Sequence, residues 1–114
     1  MIDVTVASGI EVASLHTVLS ALADPVRLEM VRRLHRERGP MACADLYDGV
    51  TKATASHHFK VLREAGITGR EDVGAHTRQL LRADDVERAY PGLLGSVISA
   101  AEREAAAPPA PATA

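Results

Sequence analysis

The chain has 114 residues, 46% of them hydrophobic, and one cysteine, which allows one compact domain with a modest core and excludes an intrachain disulfide or a four-cysteine zinc site. Aromatic residues make up only 3%, with no tryptophan, so there is little from which to build a stacking platform for single-stranded nucleic acid. The net charge of −2 conceals a segregation: residues 25–40 hold five arginines against two glutamates and residues 51–82 hold six Lys/Arg against three acids, while the flanks are acidic.

Residues 1–9 read as an N-terminal arm. Val12, Leu15, Val18, Leu19 and Leu22 then recur at the three-and-four spacing of one helix face and predict a first helix from about Ile10 to Ala23. Asp24-Pro25 restarts the chain, because aspartate suits the N-cap and proline the first helical position, where a missing N–H costs nothing. A second helix is expected from Pro25 to about Arg38, with Leu28, Val31 and Leu34 inward and Arg32, Arg33 and Arg36 towards water. Gly39-Pro40 ends it. Ala42 to Tyr47 is a short helical segment with Leu46 inward, and Asp48-Gly49 is a turn signal.

Thr51 can cap the next helix, TKATASHHFKVLREAG, which Gly66 terminates. Helical spacing sends Ala55, His58, Phe59 and Leu62 to one side and Ala53, Ser56, His57 and Lys60 to the other. From Ile67 the period changes. ITGRED and HTRQLLR read as two strands joined around Val73-Gly74-Ala75, an arginine-bearing hairpin. A short helix from Asp84-Asp85 to Tyr90 follows, and Pro91 can open a last helix in which Leu94, Val97, Ile98 and Ala101 share a face. Residues 105–114 form a Pro/Ala-rich tail expected to be disordered, which leaves residues 10–104 as the domain.

The predicted class is thus mainly α with a β-hairpin wing. A short helix, a tight turn and a capped helix with a small, basic outer side make a helix-turn-helix, and the hairpin after it reads as a wing. A helix that enters a major groove needs small outer residues and donors at its N-terminal turns. The candidate DNA contacts are Thr51, Lys52, Ala53, Thr54, Ser56, His57 and Lys60 on that helix, with Arg70, His76 and Arg78 on the wing. His58, on the apolar side, is expected to be packed and hydrogen-bonded rather than to read bases.

Three segments, LSALADPVRLEMVRRL (residues 19–34), TKATASHHFKVLREAGI (51–67) and the arginine-containing wing, resemble the bacterial ArsR/SmtB winged-helix repressors over roughly residues 15–100. The resemblance implies a homodimeric winged helix-turn-helix repressor whose first and last helices pair the subunits. Leu15, Val18, Leu19, Leu94, Val97 and Ile98 are the dimer candidates. It also implies an inverted-repeat operator of double-stranded DNA and release on an inducing signal.

The sequence departs from its metal-sensing relatives. Where they carry a Cys-x-Cys element, this chain has Met41-Ala42-Cys43-Ala44-Asp45-Leu46, with Cys43 between two alanines. No histidine follows His76, so a C-terminal histidine site lacks its ligands, and neither a metal site nor a cofactor is expected. Cys43 reads as a small buried residue or, alternatively, as a redox sensor. Ser56 and His57 diverge as helix neighbours, which argues against a nucleophile–base pair, and no enzymatic activity is expected. A small-molecule or redox effector stays open as the signal, with the seam between the first and last helices as a candidate pocket. No apolar run approaches a membrane span, so a cytoplasmic location without a membrane partner is expected. The alternative to a repressor is a winged-helix interaction module that docks an acidic protein through its basic face.

Overall fold

A computed structural model describes residues 5–6 and 10–107. The expected arm and tail lie largely outside these residues. The elements run β1 (Thr5–Val6), α1 (Leu15–Leu22), α2 (Pro25–Glu37), β2 (Met41–Ala42), a 3-10 helix (Cys43–Leu46), α3 (Lys52–Glu64), β3 (Thr68–Val73), β4 (His76–Leu81), α4 (Ala83–Ala89) and α5 (Leu93–Ala106). The sheet is antiparallel in the order β1-β3-β4-β2. The mainly α fold with a hairpin wing is therefore present.

The helix boundaries follow capping chemistry. Asp24 accepts from the amides of Val26 at 2.8 Å and Arg27 at 3.1 Å, satisfying donors the helix itself leaves unpaired. Burial opposes the charge of Asp24. The two amide bonds, with the nearby Arg27 guanidinium, outweigh that and hold the carboxyl below the usual carboxylate range. Thr51 caps α3 by accepting from the Thr54 amide at 3.1 Å. The hairpin turns on Gly74 and Ala75 with Val73 opposite His76, and the φ of 60° at Gly74 is the glycine-favoured first position of a type II′ turn.

Four expectations change. The first helix begins at Leu15, not Ile10, because Ser14 caps it and the preceding residues cross the end of α3, where the Ala13 amide donates to the Ala65 carbonyl at 3.0 Å. The Ala42–Tyr47 helix shrinks to one 3-10 turn, and Met41–Ala42 is a strand on β4. On α2, Met30 is buried beside Val31 and Leu34, whereas Leu28 is only half-buried. Arg32 and Arg33 are not solvated but half-buried in ion pairs, and only Arg36 is well exposed. Helix α5 runs to Ala106.

One core lies between the helices and the inner face of the sheet. Val18, Met30, Val31, Leu46, Leu62, Ile67 and Val86 are fully enclosed in it, with Leu94 and Ile98 of α5 closing one side. The Tyr47 and Phe59 rings meet edge-on, 6.1 Å between centroids, and hold the 3-10 turn against α3. Tyr90 Oη donates to the Ala13 carbonyl at 2.7 Å, joining the C-terminal helices to the strap before α1.

Gly66 ends α3 with φ of 79°, and a Cβ there would stand 2.6 Å from Val12 Cα and 2.7 Å from the Glu11 carbonyl oxygen. Both neighbours are backbone and cannot step aside. Gly66→Ala should therefore cost on the order of 2–4 kcal/mol, combining left-handed strain with displacement of the strap. Chemical denaturation measures it, and a loss under about 1 kcal/mol would show that the strap is loosely held.

Candidate nucleic-acid interface

Helix α3 divides cleanly. Ala55, His58, Phe59 and Leu62 are buried, while Thr51, Lys52, Ala53, Thr54, Ser56, His57 and Lys60 are exposed. All seven helix residues proposed from sequence thus share one open surface. Some are already engaged: the Thr51 hydroxyl donates to Thr54 Oγ1 at 2.9 Å within the cap, and Lys60 Nζ stands 3.9 Å from Glu64, a weak exposed pair. The side chains of Lys52, Ser56 and His57 make no hydrogen bond or ion pair among the described residues.

The two histidines have separate roles. Their ring centroids are 6.0 Å apart with planes inclined 52°. His57 faces solvent. His58 is buried, and its Nδ1 lies 3.0 Å from Arg27 Nη1. A guanidinium can only donate, so Nδ1 accepts and the neutral ring carries its proton on Nε2, which lies 3.9 Å from Asp24 Oδ1. Arg27 also donates from Nε to the Ala21 carbonyl at 2.7 Å and from Nη2 to the Ser20 carbonyl at 3.4 Å. One side chain thereby joins the end of α1, the start of α2 and the inner face of α3. Sequence reasoning missed Arg27, although its place three residues after the cap Asp24 puts both on one helix face.

The wing is less free than its composition implies. Arg70 Nε contacts Asp72 at 3.3 Å and its Nη2 reaches Thr77 Oγ1 at 3.4 Å. The Thr77 hydroxyl donates to Asp72, and with Arg70 it holds the Asp72 carboxyl below its usual range. Arg78 pairs with Glu71 across the strands, where Glu71 is itself nearly enclosed. The His76 side chain stands exposed beside the turn without a hydrogen bond or ion pair among the described residues.

The first basic block belongs to the scaffold. Arg32 bridges Glu29 at 2.6 Å and Glu102 at 3.1 Å, Arg33 bridges Glu29 at 3.0 Å and Asp48 at 2.6 Å, and Arg36 reaches Glu102 at 3.5 Å. These pairs tie α2 to α5 and to the turn before α3. The positive charge counted along residues 25–40 is largely cancelled by acids from distant segments.

The dimer candidates divide as well. Leu15 and Leu19 are 45% and 44% exposed one turn apart on α1. Val18, Leu94 and Ile98 lie inside the protomer's own core, and Val97 is half-buried. Cys43 is half-buried at the start of the 3-10 turn, receives a hydrogen bond from Gln79 Nε2 at 3.7 Å and faces the Thr77 carbonyl at 3.9 Å. No described helix is long and apolar enough to cross a membrane.

Residues 22–68, the span from the end of α1 through α3 to the start of β3, match a family model described as a helix-turn-helix domain. The chain is 34% identical over 79 residues to the uncharacterized HTH-type transcriptional regulator YceK of Bacillus subtilis (strain 168), covering 68% of this chain and 79% of that one. Two solved structures share the fold. The transcriptional repressor BigR from Xylella fastidiosa superposes with a TM-score of 0.62 at 23% identity, covering 82% of this chain and 88% of its own. An ArsR-like transcriptional regulator from Rhodococcus sp. RHA1 gives 0.58 at 22% identity, covering 81% and 87%. With a helix-turn-helix and a regulator relative matched over most of its length, the chain belongs to the HTH-type transcriptional regulators, and its fold is the winged helix-turn-helix of the two solved structures.

Proposed function

We propose that the protein is a sequence-specific repressor that binds an inverted-repeat operator as a homodimer and leaves it on an inducing signal. The observation that carries this reading is the exposed face of α3. Small Ala53 and Ser56 let the helix approach base edges, His57 offers a ring donor or acceptor, and Lys52 and Lys60 supply cations for the flanking phosphates. Thr51 and Thr54 add hydroxyls at the positive end of the helix. Arg70, His76 and Arg78 extend the contact along the wing, the two arginines exchanging an internal carboxylate for a phosphate.

Dimer formation draws support from Leu15 and Leu19, an apolar pair on α1 left 45% and 44% exposed, and Val97 on α5 can join them. A two-fold seam there presents two copies of α3, which matches a palindromic target. The test is a gel shift on the protein's own promoter region with competitor DNA. Sequence-selective retardation is expected, and Lys52→Ala or Lys60→Ala should weaken every sequence alike and lower the salt slope by about one. Equal retardation of all DNA, or none at low salt, would favour docking to an acidic protein instead.

His57→Ala should leave the melting temperature nearly unchanged, within about 0.5 kcal/mol in stability, while lowering operator affinity. His58→Ala removes the acceptor of Arg27 and should cost about 1–3 kcal/mol of folding free energy. Melting curves and operator titrations on both variants separate the roles, and the reverse pattern would mean that α3 docks through its other side.

Glu71→Gln should have the opposite sign. It keeps the shape of the side chain while removing the charge that holds Arg78, so affinity for any duplex should rise and the salt slope should steepen by up to about one. Unchanged binding would show that Arg78 stays on the sheet when DNA is bound.

A further inference from the structure

The surface behind the wing contains two adjoining clefts that share His35 and Arg38. The larger, about 520 Å³, is floored by Leu34, Leu80 and Leu81 between the end of α2 and the last residues of β4. The smaller, about 470 Å³, runs on towards Ile98 and Glu102 of α5. Neither lies at the seam between the first and last helices. Both volumes fall in the range of about 300–1,000 Å³ usual for small-molecule sites.

Two residues of the wall sit against their usual preferences, although the Arg38 amide closes α2 by donating to the Leu34 carbonyl at 3.1 Å. Arg38 holds φ of 59°, the only positive φ at a non-glycine among the described residues, although a glycine stands next to it in the chain. It is the residue just past α2, where glycine is the usual solution. Arg38 also makes no ion pair among the described residues, in contrast to Arg32, Arg33 and Arg36 on the same helix. Gly39 is the converse: its φ is not positive and an added Cβ would meet nothing within 4 Å, so neither conformation nor crowding demands glycine there. The chain therefore carries a charge where it wants glycine, and a bare backbone where a side chain would narrow the larger cleft. Strain of this kind concentrates at binding sites.

We propose that this cleft binds a small organic anion, a carboxylate on an apolar body. The carboxylate sits between Arg38 and His35, and the body lies over Leu34, Leu80 and Leu81. The Arg38 charge is needed there because the carbonyls ending α2 would otherwise repel an anion, and His35 adds a ring hydrogen-bonding group. Glu102, the one carboxylate lining the clefts, is neutralised by Arg32 and Arg36; its hydrogen bond from Arg32 holds it below the usual carboxylate range. A guest touching β4 and α2 adjoins both the wing and the helix that Arg27 joins to α3. Occupancy therefore acts as the inducing signal, and this part rests on the repressor reading above.

The probe is octanoate, with 1-octanol as its uncharged counterpart, titrated into the full chain by calorimetry and by amide NMR. Octanoate should bind saturably and shift resonances in residues 34–40 and 80–83, and octanol should bind at least about tenfold more weakly. Arg38→Gly keeps the backbone conformation and should fold at least as well, yet lose octanoate affinity by about tenfold or more. Gly39→Leu should block the cleft without disturbing the fold. Absence of saturable binding, equal binding of octanol, shifts centred elsewhere, or full affinity in Arg38→Gly would each overturn the site. The gel shift repeated with octanoate is a separate readout. Octanoate binding by a protein that retards no operator would leave the site standing and sink the repressor reading. Selective retardation with no octanoate binding would do the reverse.

Discussion

The arrangement of this molecule turns on the Arg27 side chain. Its guanidinium donates to two carbonyls at the end of α1 and to the buried ring of His58 on α3, and the residue's own amide is held by Asp24. Three helices thus meet at one planar group that cannot deprotonate, so its donors always need acceptors. The angle between the scaffold helix and the exposed face of α3 follows from this contact. Leu62, Ile67 and Val31 are buried in the common core, but apolar packing tolerates a helix turned by several degrees, whereas a donor 3.0 Å from a ring nitrogen does not. The two segments most telling in the sequence, ADPVRL and SHHFKVL, touch each other through this pair.

Long helices and the wing were readable because periodicity, caps and turn chemistry are local. Asp24-Pro25, Thr51 and Gly74 each sit where the structure uses them, and the faces of α3 follow from 3.6-residue spacing alone. The strand at Met41–Ala42 was not readable. Two residues cannot display a period of two, and they become a strand only because Arg78 and Gln79 of β4 lie opposite. The start of α1 was misjudged for a related reason. Val12 continues the apolar rhythm of the helix and packs against the core, but as part of a strap whose backbone crosses Gly66.

Charge behaved in the same way. Summing residues 25–40 gives a basic block, yet the acids that cancel it, Asp48 and Glu102, are supplied from far along the chain. The hairpin arginines are likewise matched by Glu71 and Asp72 of the same wing. Linear charge counts record composition, whereas a DNA-facing potential depends on which cations lack a partner after folding. On the exposed face of α3, among the described residues, those are Lys52 and, more loosely, Lys60, so recognition in the proposed complex leans on helix placement more than on bulk electrostatics.

The close passage of the strap over Gly66 bears on how force moves through the molecule. Backbone meets backbone there, with the Ala13 amide hydrogen-bonded to the Ala65 carbonyl and Tyr90 holding Ala13 from the other side. There is no layer of side chains to yield between the two segments. A push on α1 is therefore delivered undiminished to the end of α3, as through a stiff coupling rather than a spring. In the proposed dimer, where α1 carries the seam, the distance between the two reading helices would be set by that seam's geometry. A change of a few ångströms at the subunit boundary would change the spacing of half-sites the protein can span.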